Sequence, residues 1–509
     1  MGKLLPNYRK KIVDNIIAGI TANTSTYYAF GSNPVSSNDT LLNTGEDYKA
    51  QFIPTWQMLF GKKLANTDLV PLITNIVWEA NTVYTRYDNT EDISNSQFYV
   101  LVSPILSGGT YNVYKCIDNS NGAPSTVAPD QIQAASFTKS DGYTWRYITT
   151  ISAANYSKFA TDQYVPIYSN STIVASAYDH SGVEVCIIQN GGSGYNSYGN
   201  GTIRGVVNST LVQIENYSSG DNDYYTNNGI YIYNTSEATS QLKVVKQYVS
   251  NSAGHWIYLN EAANTTNIIP AVTKYLITPQ VIFETDANSV PKAYSTINSS
   301  SNSINSIVIV DTGYGVSWCN VSIVSNTSYG SGANCYAICP PAGGHGFDPA
   351  VELNTKGLGI SFTFANTESN TIPVDLIYNK IGILTNPYSL TADGTKGSSF
   401  YTNTFSQVLQ ANVIPATTFT VGEVVSGMTS NAHGTVAYSN GSHIWLTGDK
   451  FFSNSEYILS ANGLVSAQIS INTKGDIYAK DIEPIYIQNL ANITRSNTQT
   501  ESYRLIIEI

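Results

Sequence analysis

Charged residues are scarce in this sequence. Only 12% of the 509 residues are Asp, Glu, Lys or Arg, which is about half of what soluble domains usually carry. The longest basic run is Arg9–Lys11, and the net charge is −11. Because nucleic-acid binding needs a basic stripe that meets the phosphates, we expect no nucleic-acid partner.

Cysteine is also sparse, and its spacing gives no disulfide framework. The five cysteines are an odd number at scattered positions, namely Cys116, Cys186, Cys319, Cys335 and Cys339. Three residues separate the last two, but no second ligand pair follows. We therefore expect small buried thiols in a reducing compartment, and no intrachain disulfide.

Long apolar runs are missing. No stretch is long enough to span a bilayer, and the opening "MGKLLPNYRKK" lacks the apolar segment of a signal peptide. The sequence therefore predicts no membrane insertion.

The abundant residues are those of strands and turns. There are 37 tyrosines and 38 glycines, and uncharged polar residues replace the missing charges. Tyr and Thr favour half-buried strands, while Gly, Asn and Ser favour turns. The composition predicts a mainly β protein, and the length suggests about three to four domains.

Periodicity places a few elements along the chain. Residues 6–22 predict an amphipathic helix with an apolar face, formed by Tyr8, Ile12, Val13, Ile16, Ile17 and Ile20. A second helix is predicted at about 46–61. Strands are predicted at 75–88, 97–103, 110–118, 141–152 and 374–387.

Two further regions have their own texture. Residues 183–207 and 305–324 each read as a strand, a Gly-Tyr turn and a second strand, which indicates a weak repeat of a small β unit with glycines at positive φ or in close backbone approach. Residues 416–476 predict a compact β unit of short strands separated by Gly/Asn turns. We expect that its removal leaves the rest of the chain folded, because insertions leave from surface loops.

His345, Asp348 and Glu352 are the residues with the best spacing for a metal site. They lie in "PAGGHGFDPAVELN" (341–354), a glycine-rich loop that runs into a possible short helix with Asp348 as its N-cap and Pro349 in its first turn. No matching His/Glu signature occurs elsewhere. The favoured interpretation is a turn and a capped helix, with His345 incidental and no metal or cofactor.

Other catalytic interpretations are weaker. A glycosidase needs two carboxylates in one cleft, and Asp88, Asp141 and Glu352 are too scattered to pair from sequence. No nucleophile elbow is present. "GGSGYNSYGNG" (191–201) lacks the end of a phosphate loop, so a β-turn is favoured. Trp56, Trp78, Trp145 and the tyrosine clusters suit core or interface packing, with a glycan platform as the alternative. The sequence predicts no enzyme and no catalytic residue.

Six segments in order resemble one family, the baseplate wedge subunit eight of T-even-like contractile-tailed bacteriophages. "YYAFGSNPVSSND" resembles its Phe-Gly-x-x-x-Pro stretch after the first helix, and "DGYTWRYITTIS" resembles its Asp-Gly-Tyr-x-Trp-x-Tyr strand. The other segments similar to the family are "YNVYKCIDN", "PAGGHGFDPAVELN", "YNKIGILTNP" and "ITRSNTQTESYRLIIEI".

The resemblance implies a multi-layer β-sandwich core with short helical excursions near the N-terminus and inserted small β domains. The core is expected in 1–170, 336–410 and 479–509, and the insertions in 171–335 and 411–478. "TYYAFGSNPVSSND" (26–39) is interpreted as a surface loop after a docked helix, anchored by Tyr27, Tyr28 and Phe30.

The resemblance also implies a structural virion protein without catalysis. It would be a homodimer that contacts other baseplate wedge subunits, located in the tail baseplate and assembled in the host cytoplasm. A tail adhesin that binds host-surface glycan is the alternative, supported by the Tyr/Asn/Ser-rich insertions. A carbohydrate-degrading tail enzyme is the second.

Overall fold

The computed structural model describes residues 5–33, 57–104, 109–215, 220–234, 239–326, 328–365, 372–448, 452–496 and 498–509. Strands hold 48% of the chain and helices 11%, so the prediction of a mainly β fold is confirmed. The chain divides into two units, residues 72–355 and a discontinuous unit of residues 1–71 and 356–509. The finer division predicted from the sequence stays a prediction.

The helices are short apart from the first. Their bounds are α1 Pro6–Thr21, α2 Ala153–Phe159, α3 Ser171–Ser176 and α4 Pro349–Glu352. Turns of 3-10 helix lie at Asn66–Asp68, Ser120–Gly122, Tyr178–His180, Thr265–Asn267 and Ala479–Asp481.

The strands of the discontinuous unit are β1 Tyr27–Ser32, β2 Met58–Lys63, β20 Gly357–Phe364, β21 Ile377–Thr385, β22 Tyr388–Leu390, β23 Lys396–Phe400, β24 Phe405–Ser406, β25 Leu409–Ile414, β26 Val424–Gly427, β27 His433–Ser439, β28 His443–Gly448, β29 Tyr457–Ser460, β30 Ser466–Thr473, β31 Glu483–Thr494 and β32 Glu501–Glu508. The strand β3, Leu69–Thr74, runs across the boundary along the chain.

The strands of the unit 72–355 are β4 Tyr99–Val102, β5 Tyr111–Asn119, β6 Phe137–Thr138, β7 Tyr143–Ile151, β8 Tyr164–Pro166, β9 Val185–Ser193, β10 Gly199–Asn208, β11 Leu211–Ile214, β12 Asn228–Tyr233, β13 Gln241–Asn251, β14 Gly254–Leu259, β15 Lys274–Thr285, β16 Lys292–Asn298, β17 Ser303–Asp311, β18 Cys319–Val324 and β19 Ser331–Ile338.

The predicted first helix is confirmed as α1. Pro6 occupies its first turn, where a missing backbone N–H costs nothing. Val13 and Ile20 are buried, and Ile16 and Ile17 pack beside them against the core of the discontinuous unit. Tyr8 is 55% exposed and does not belong to the buried face.

Three sequence-based predictions near the N-terminus need correction. Residues 58–63 form β2 rather than the end of a helix, and 46–56 lie outside the described residues. Residues 75–88 form only isolated bridges at Val77 and Thr82, because Asn81 takes a left-handed φ of 64° that breaks an extended run. Residues 27–32 are not a surface loop: they form β1, buried between β2 and β21. Residues 34–39 lie outside the described residues.

A series of glycine–phenylalanine pairs explains why β1 is a strand. The sheet order is β24-β2-β1-β21-β31. Phe30 of β1 lies opposite Gly382, Phe60 of β2 lies opposite Gly31, and Phe405 of β24 lies opposite Gly61. In each pair the ring covers the glycine, where an added Cβ would come within 2.3 to 2.7 Å of ring carbons. We call these three pairs the glycine–phenylalanine ladder.

Residues 409–473 form a closed barrel in the order β25-β28-β27-β26-β29-β30. The barrel has its own buried core, which includes Phe419, Val436 and Ile469. Its first and last strands are paired, with Gln410 opposite Thr473. Tyr438 and Trp445 on its outside pack against the core of the discontinuous unit.

Replacing residues 411–472 by a short Gly/Ser linker is expected to leave one cooperative melt at a temperature lower by roughly 5 to 10 °C. The paired ends need little linker to close, and the loss comes from uncovering the surface beneath Tyr438 and Trp445. Calorimetry of the shortened chain measures both features. A chain that is insoluble or melts without cooperativity would show that the barrel is part of the core.

Six strands of the unit 72–355 also close on themselves. β10, β11, β14, β13, β12 and β15 pair in that order, and β10 pairs back to β15. They enclose a core that includes Ile230, Val245 and Tyr275. The second half of β15 leaves this ring and pairs with β16 and β18.

The repeat predicted at 183–207 and 305–324 is present as local strands and turns. Gly192, Gly194, Gly313 and Gly315 all take positive φ, as predicted. The strands of each copy pair elsewhere, however: β9 with β19, β10 with β11 and β15, β17 with β16, and β18 with β15. The copies are therefore similar in local geometry and do not form two equivalent hairpins.

Candidate functional site

A buried lysine, a histidine and a glutamate meet in the unit 72–355. Nζ of Lys115 lies 2.6 Å from Oε1 of Glu352 and 2.9 Å from Nδ1 of His345. Nδ1 of His345 lies 3.0 Å from the same carboxylate oxygen. The side chains are 0%, 4% and 2% exposed for Lys115, His345 and Glu352. We call these three residues the buried triad.

Local structure aims each side chain at this point. The carboxylate of Asp348 accepts a hydrogen bond from the backbone N–H of Val351 at 3.2 Å and Pro349 fills the first turn of α4, so the predicted capped helix is confirmed. The cap places Glu352 in the same helical turn. The other oxygen of Glu352 accepts a hydrogen bond from the N–H of Gly346 at 2.6 Å, which fixes the glycine-rich loop that carries His345.

Tyr87 completes the surroundings of the triad. Nζ of Lys115 lies 3.3 Å from the centre of the Tyr87 ring, where the negative face of the ring stabilises the ammonium. The His345 ring meets the same tyrosine edge to face at 5.3 Å. The cation thus has a carboxylate, a ring nitrogen and an aromatic face as neighbours.

Burial and charge pull the three pKa values in defined directions. Burial lowers the pKa of Lys115 to about 8, although the Glu352 charge opposes this. Burial, helped by the Lys115 charge, lowers the pKa of His345 to about 4. Burial alone would raise the pKa of Glu352, but Lys115 and His345 outweigh it and lower the pKa to about 2. At neutral pH the triad therefore holds an ammonium, a carboxylate and a neutral imidazole.

The neutral imidazole has one lone pair or one proton at Nδ1. It either accepts a hydrogen bond from the Lys115 ammonium or donates one to the Glu352 carboxylate, depending on its tautomer. In both cases the polar atoms of the triad satisfy one another. This arrangement ties the loop before α4 to the centre of β5.

The metal interpretation is not supported at this point. His345 and Glu352 do lie together, but the third group is the Lys115 ammonium, and Asp348 is engaged as the helix cap. Across the described ranges, no three His, Cys, Asp or Glu side chains are arranged to hold a metal ion. The interpretation of His345 as incidental is wrong, because the residue is buried and hydrogen-bonded.

A second buried cation lies directly beside the triad. Lys115 of β5 is the register partner of Arg146 of β7, and two like charges in that position are destabilising without compensation. Nη1 of Arg146 lies 2.6 Å from Oε1 of Glu184. Each cation therefore has its own acid, and both acids come from outside the β5–β7 pair.

Sequence reasoning did not single out Lys115, Arg146 or Glu184. The available signal was a basic residue inside each of two strongly apolar strands, "YNVYKCID" and "YTWRYITT". A cation in such a strand predicts a buried acid. It does not identify that acid, because Glu352 lies 237 residues from Lys115.

The two other candidate carboxylates are used locally. Asp88 accepts hydrogen bonds from Thr90 and from the hydroxyl of Tyr336 at 2.8 Å. Asp141 accepts from the backbone N–H groups of Thr126 and Tyr143, among others. Burial would raise both pKa values, but these hydrogen bonds lower them. Neither carboxyl has the raised pKa that a general acid needs.

The remaining sequence candidates lie in structural positions. Trp145 is fully buried and stacks on Tyr143 at 5.5 Å, which confirms core packing. Trp78 donates a hydrogen bond from Nε1 to Ser125 at 3.2 Å, and Trp56 lies outside the described residues. Residues 191–201 connect β9 to β10 through glycines at positive φ and open no helix, as the β-turn interpretation predicts.

The cysteines are free thiols in this structure. Four of them lie close together around β9, β18 and β19, where burial raises the pKa of Cys335 to about 11 and of Cys319 to about 12. The thiols are therefore protonated and weakly nucleophilic at neutral pH.

Comparisons with known proteins add no identity. The chain matches no protein-family model, and no curated protein matches it in sequence. In the part of the chain that the structure describes, no helix is both long and apolar enough to cross a membrane.

The triad makes stability depend on pH in the acid range. Between about pH 6.5 and pH 4 the unfolded chain protonates His345 while the folded protein does not, so stability falls as the pH falls. Glu352 adds a second loss between about pH 4.5 and pH 2, because its folded pKa is also lowered.

His345→Asn is expected to flatten the first part of this dependence. Wild type should lose up to about 3 kcal/mol through this histidine between pH 6.5 and pH 4, and urea unfolding at a series of pH values measures the slope. The exposed His433 provides the control variant His433→Asn, which should keep the wild-type slope. An unchanged slope in His345→Asn would contradict the assignment.

Proposed function

We propose that this protein is a structural subunit of a contractile phage tail, in the baseplate wedge, where it scaffolds neighbouring wedge subunits. The observation that carries the proposal is the ordered series of six segments similar to the baseplate wedge subunit eight family. Their described parts fall on β1, β5, β7, the α4 cap, β21 and β32. The resemblance therefore lies mainly in residues that build buried strands.

The way the charged residues are used supports a scaffold. Lys115, Arg146 and Arg495 are each buried and paired with a glutamate at 2.6 Å. Such pairs hold segments that are distant in the chain in one arrangement, and removing one partner is costly. Bodies packed in this way move as units between discrete positions, as subunits of a contractile baseplate would.

The proposal includes a homodimer, contacts with other wedge subunits, assembly in the host cytoplasm and no catalytic role. The last point is supported by Asp88, Asp141 and Glu352, whose hydrogen bonds and ion pairs keep them ionised. Sedimentation of the purified chain at micromolar concentration should give a dimer. A monomer alone would contradict the dimer, and polysaccharide turnover lost on mutating a carboxylate would contradict the absence of catalysis.

Electron microscopy of intact tails tests the main proposal. Density that fits the two units of this chain is expected in the baseplate wedge. Tails assembled without this protein should lack complete baseplates. Density in the capsid, the tail tube or a fibre tip would overturn the assignment.

A further inference from the structure

The sheet that contains β12, β13, β15 and β16 carries an open groove of about 340 Å³. The β15–β16 pairing is limited to Gln280 opposite Tyr294, so the two strands separate beside this point. The residues that shape the groove and matter for its chemistry are Gly229, Leu242, Asn260, Gln280, Lys292 and Tyr294.

A row of stacked tyrosines extends from the groove. Tyr231 stacks on Tyr294 with ring centres 4.7 Å apart and 18° between the planes, and on Tyr233 at 5.2 Å and 12°. Strand alternation explains the row, because Ile230 and Ile232 fill the buried core and leave the tyrosines on the other face. The three rings are partly exposed and form a flat apolar surface with polar edges.

The rim of the groove is polar, and lysines are its cations. Lys292 is exposed, and Lys243 lies 3.5 Å from Glu261, whose side chain is 70% exposed. The amides of Gln280 and Asn260 line the same groove. Two ammonium groups against one carboxylate favour an anionic ligand, although the whole chain is acidic.

We propose that this groove binds an acidic oligosaccharide. A sugar ring has an apolar C–H face that packs on a tyrosine ring and hydroxyls that need amide partners at its edge. Tyr294 supplies the ring, Gln280 and Asn260 supply the amides, and Lys292 pairs with the sugar carboxylate. This activity goes beyond scaffolding and does not depend on it.

The direct test uses the full-length chain and two probes, oligogalacturonate and a neutral malto-oligosaccharide of the same length. Titration calorimetry should detect oligogalacturonate and a clearly weaker response to the neutral probe. Tyr294→Ala should weaken binding about tenfold or more, and Tyr294→Phe should retain it. Lys292→Gln should reduce the preference for the acidic probe by about threefold or more.

Two further variants separate groove binding from surface effects. Gly229 lies in β12 on the tyrosine face, and its nearest neighbours would be 3.6 Å from an added Cβ, so Gly229→Leu should fold and obstruct the groove. Tyr457→Ala removes an exposed tyrosine of the barrel and should bind like wild type. Equal binding of both probes, no binding of oligogalacturonate at millimolar concentration, or a neighbouring protein seated in the groove in intact tails would overturn the proposal.

Discussion

Lys115→Met is expected to destabilise the unit of residues 72–355 by about 3 to 5 kcal/mol. Methionine has a similar length, so the packing against Tyr87 changes little while the charge disappears. Glu352 is then left buried, without the ammonium that lies 2.6 Å away in the wild type. Urea unfolding measures the loss, and hydrogen exchange at the N–H of Gly346 should rise as the loop loosens.

A second substitution should recover much of this stability. In Lys115→Met/Glu352→Gln the buried charge is gone, and the amide oxygen still accepts the hydrogen bond from Gly346. Lys139→Met is the matched control, because its partner Asp130 is 57% exposed and such pairs contribute about 0 to 1 kcal/mol. A double variant as unstable as Lys115→Met would argue against the buried pair as the cause.

Gly61→Val should be nearly as damaging, at about 3 kcal/mol or more. Valine suits strands, so the cost comes only from the ring of Phe405, which would lie 2.3 Å from the new Cβ. Phe405 is fully buried and has no open space to move into. Thermal unfolding of the full chain measures the effect.

The space can be returned from the other side of the pair. Gly61→Val/Phe405→Ala should be more stable than Gly61→Val alone, even though Phe405→Ala by itself leaves a cavity. Gly205→Val in β10 is the control, since its nearest neighbour would be 3.6 Å from the Cβ. If the double variant is no better than additive, the ring is not what excludes the side chain.

Local patterns predicted those elements that depend on local chemistry. The first helix, the strands at 97–103, 110–118 and 141–152, and the cap at Asp348 follow from periodicity and from turn and cap residues. The segment 26–39 was misread because Phe30-Gly31 resembles a turn. Its strand partners are Phe60 and Gly382, and a pairing over such distances leaves no local pattern.

The candidate site divides in the same way. The sequence drew attention to His345 and Glu352 because they share one loop and helix. Lys115 was missed, and it is the residue that turns a possible metal site into an ion pair. Nothing near Lys115 in the sequence indicates which acid will reach it, because β5 and α4 meet only in the folded chain.

The glycine–phenylalanine ladder has a consequence for the order of folding during synthesis. Residues 72–355 are continuous, so the ribosome releases that unit whole, whereas β1 and β2 must wait for β21 and β24. Translation proceeds at about 5 to 20 residues per second, which delays these partners by roughly 20 to 70 s. The residues made first therefore find their strand partners among the last, with an unpaired, apolar β1 exposed in the meantime.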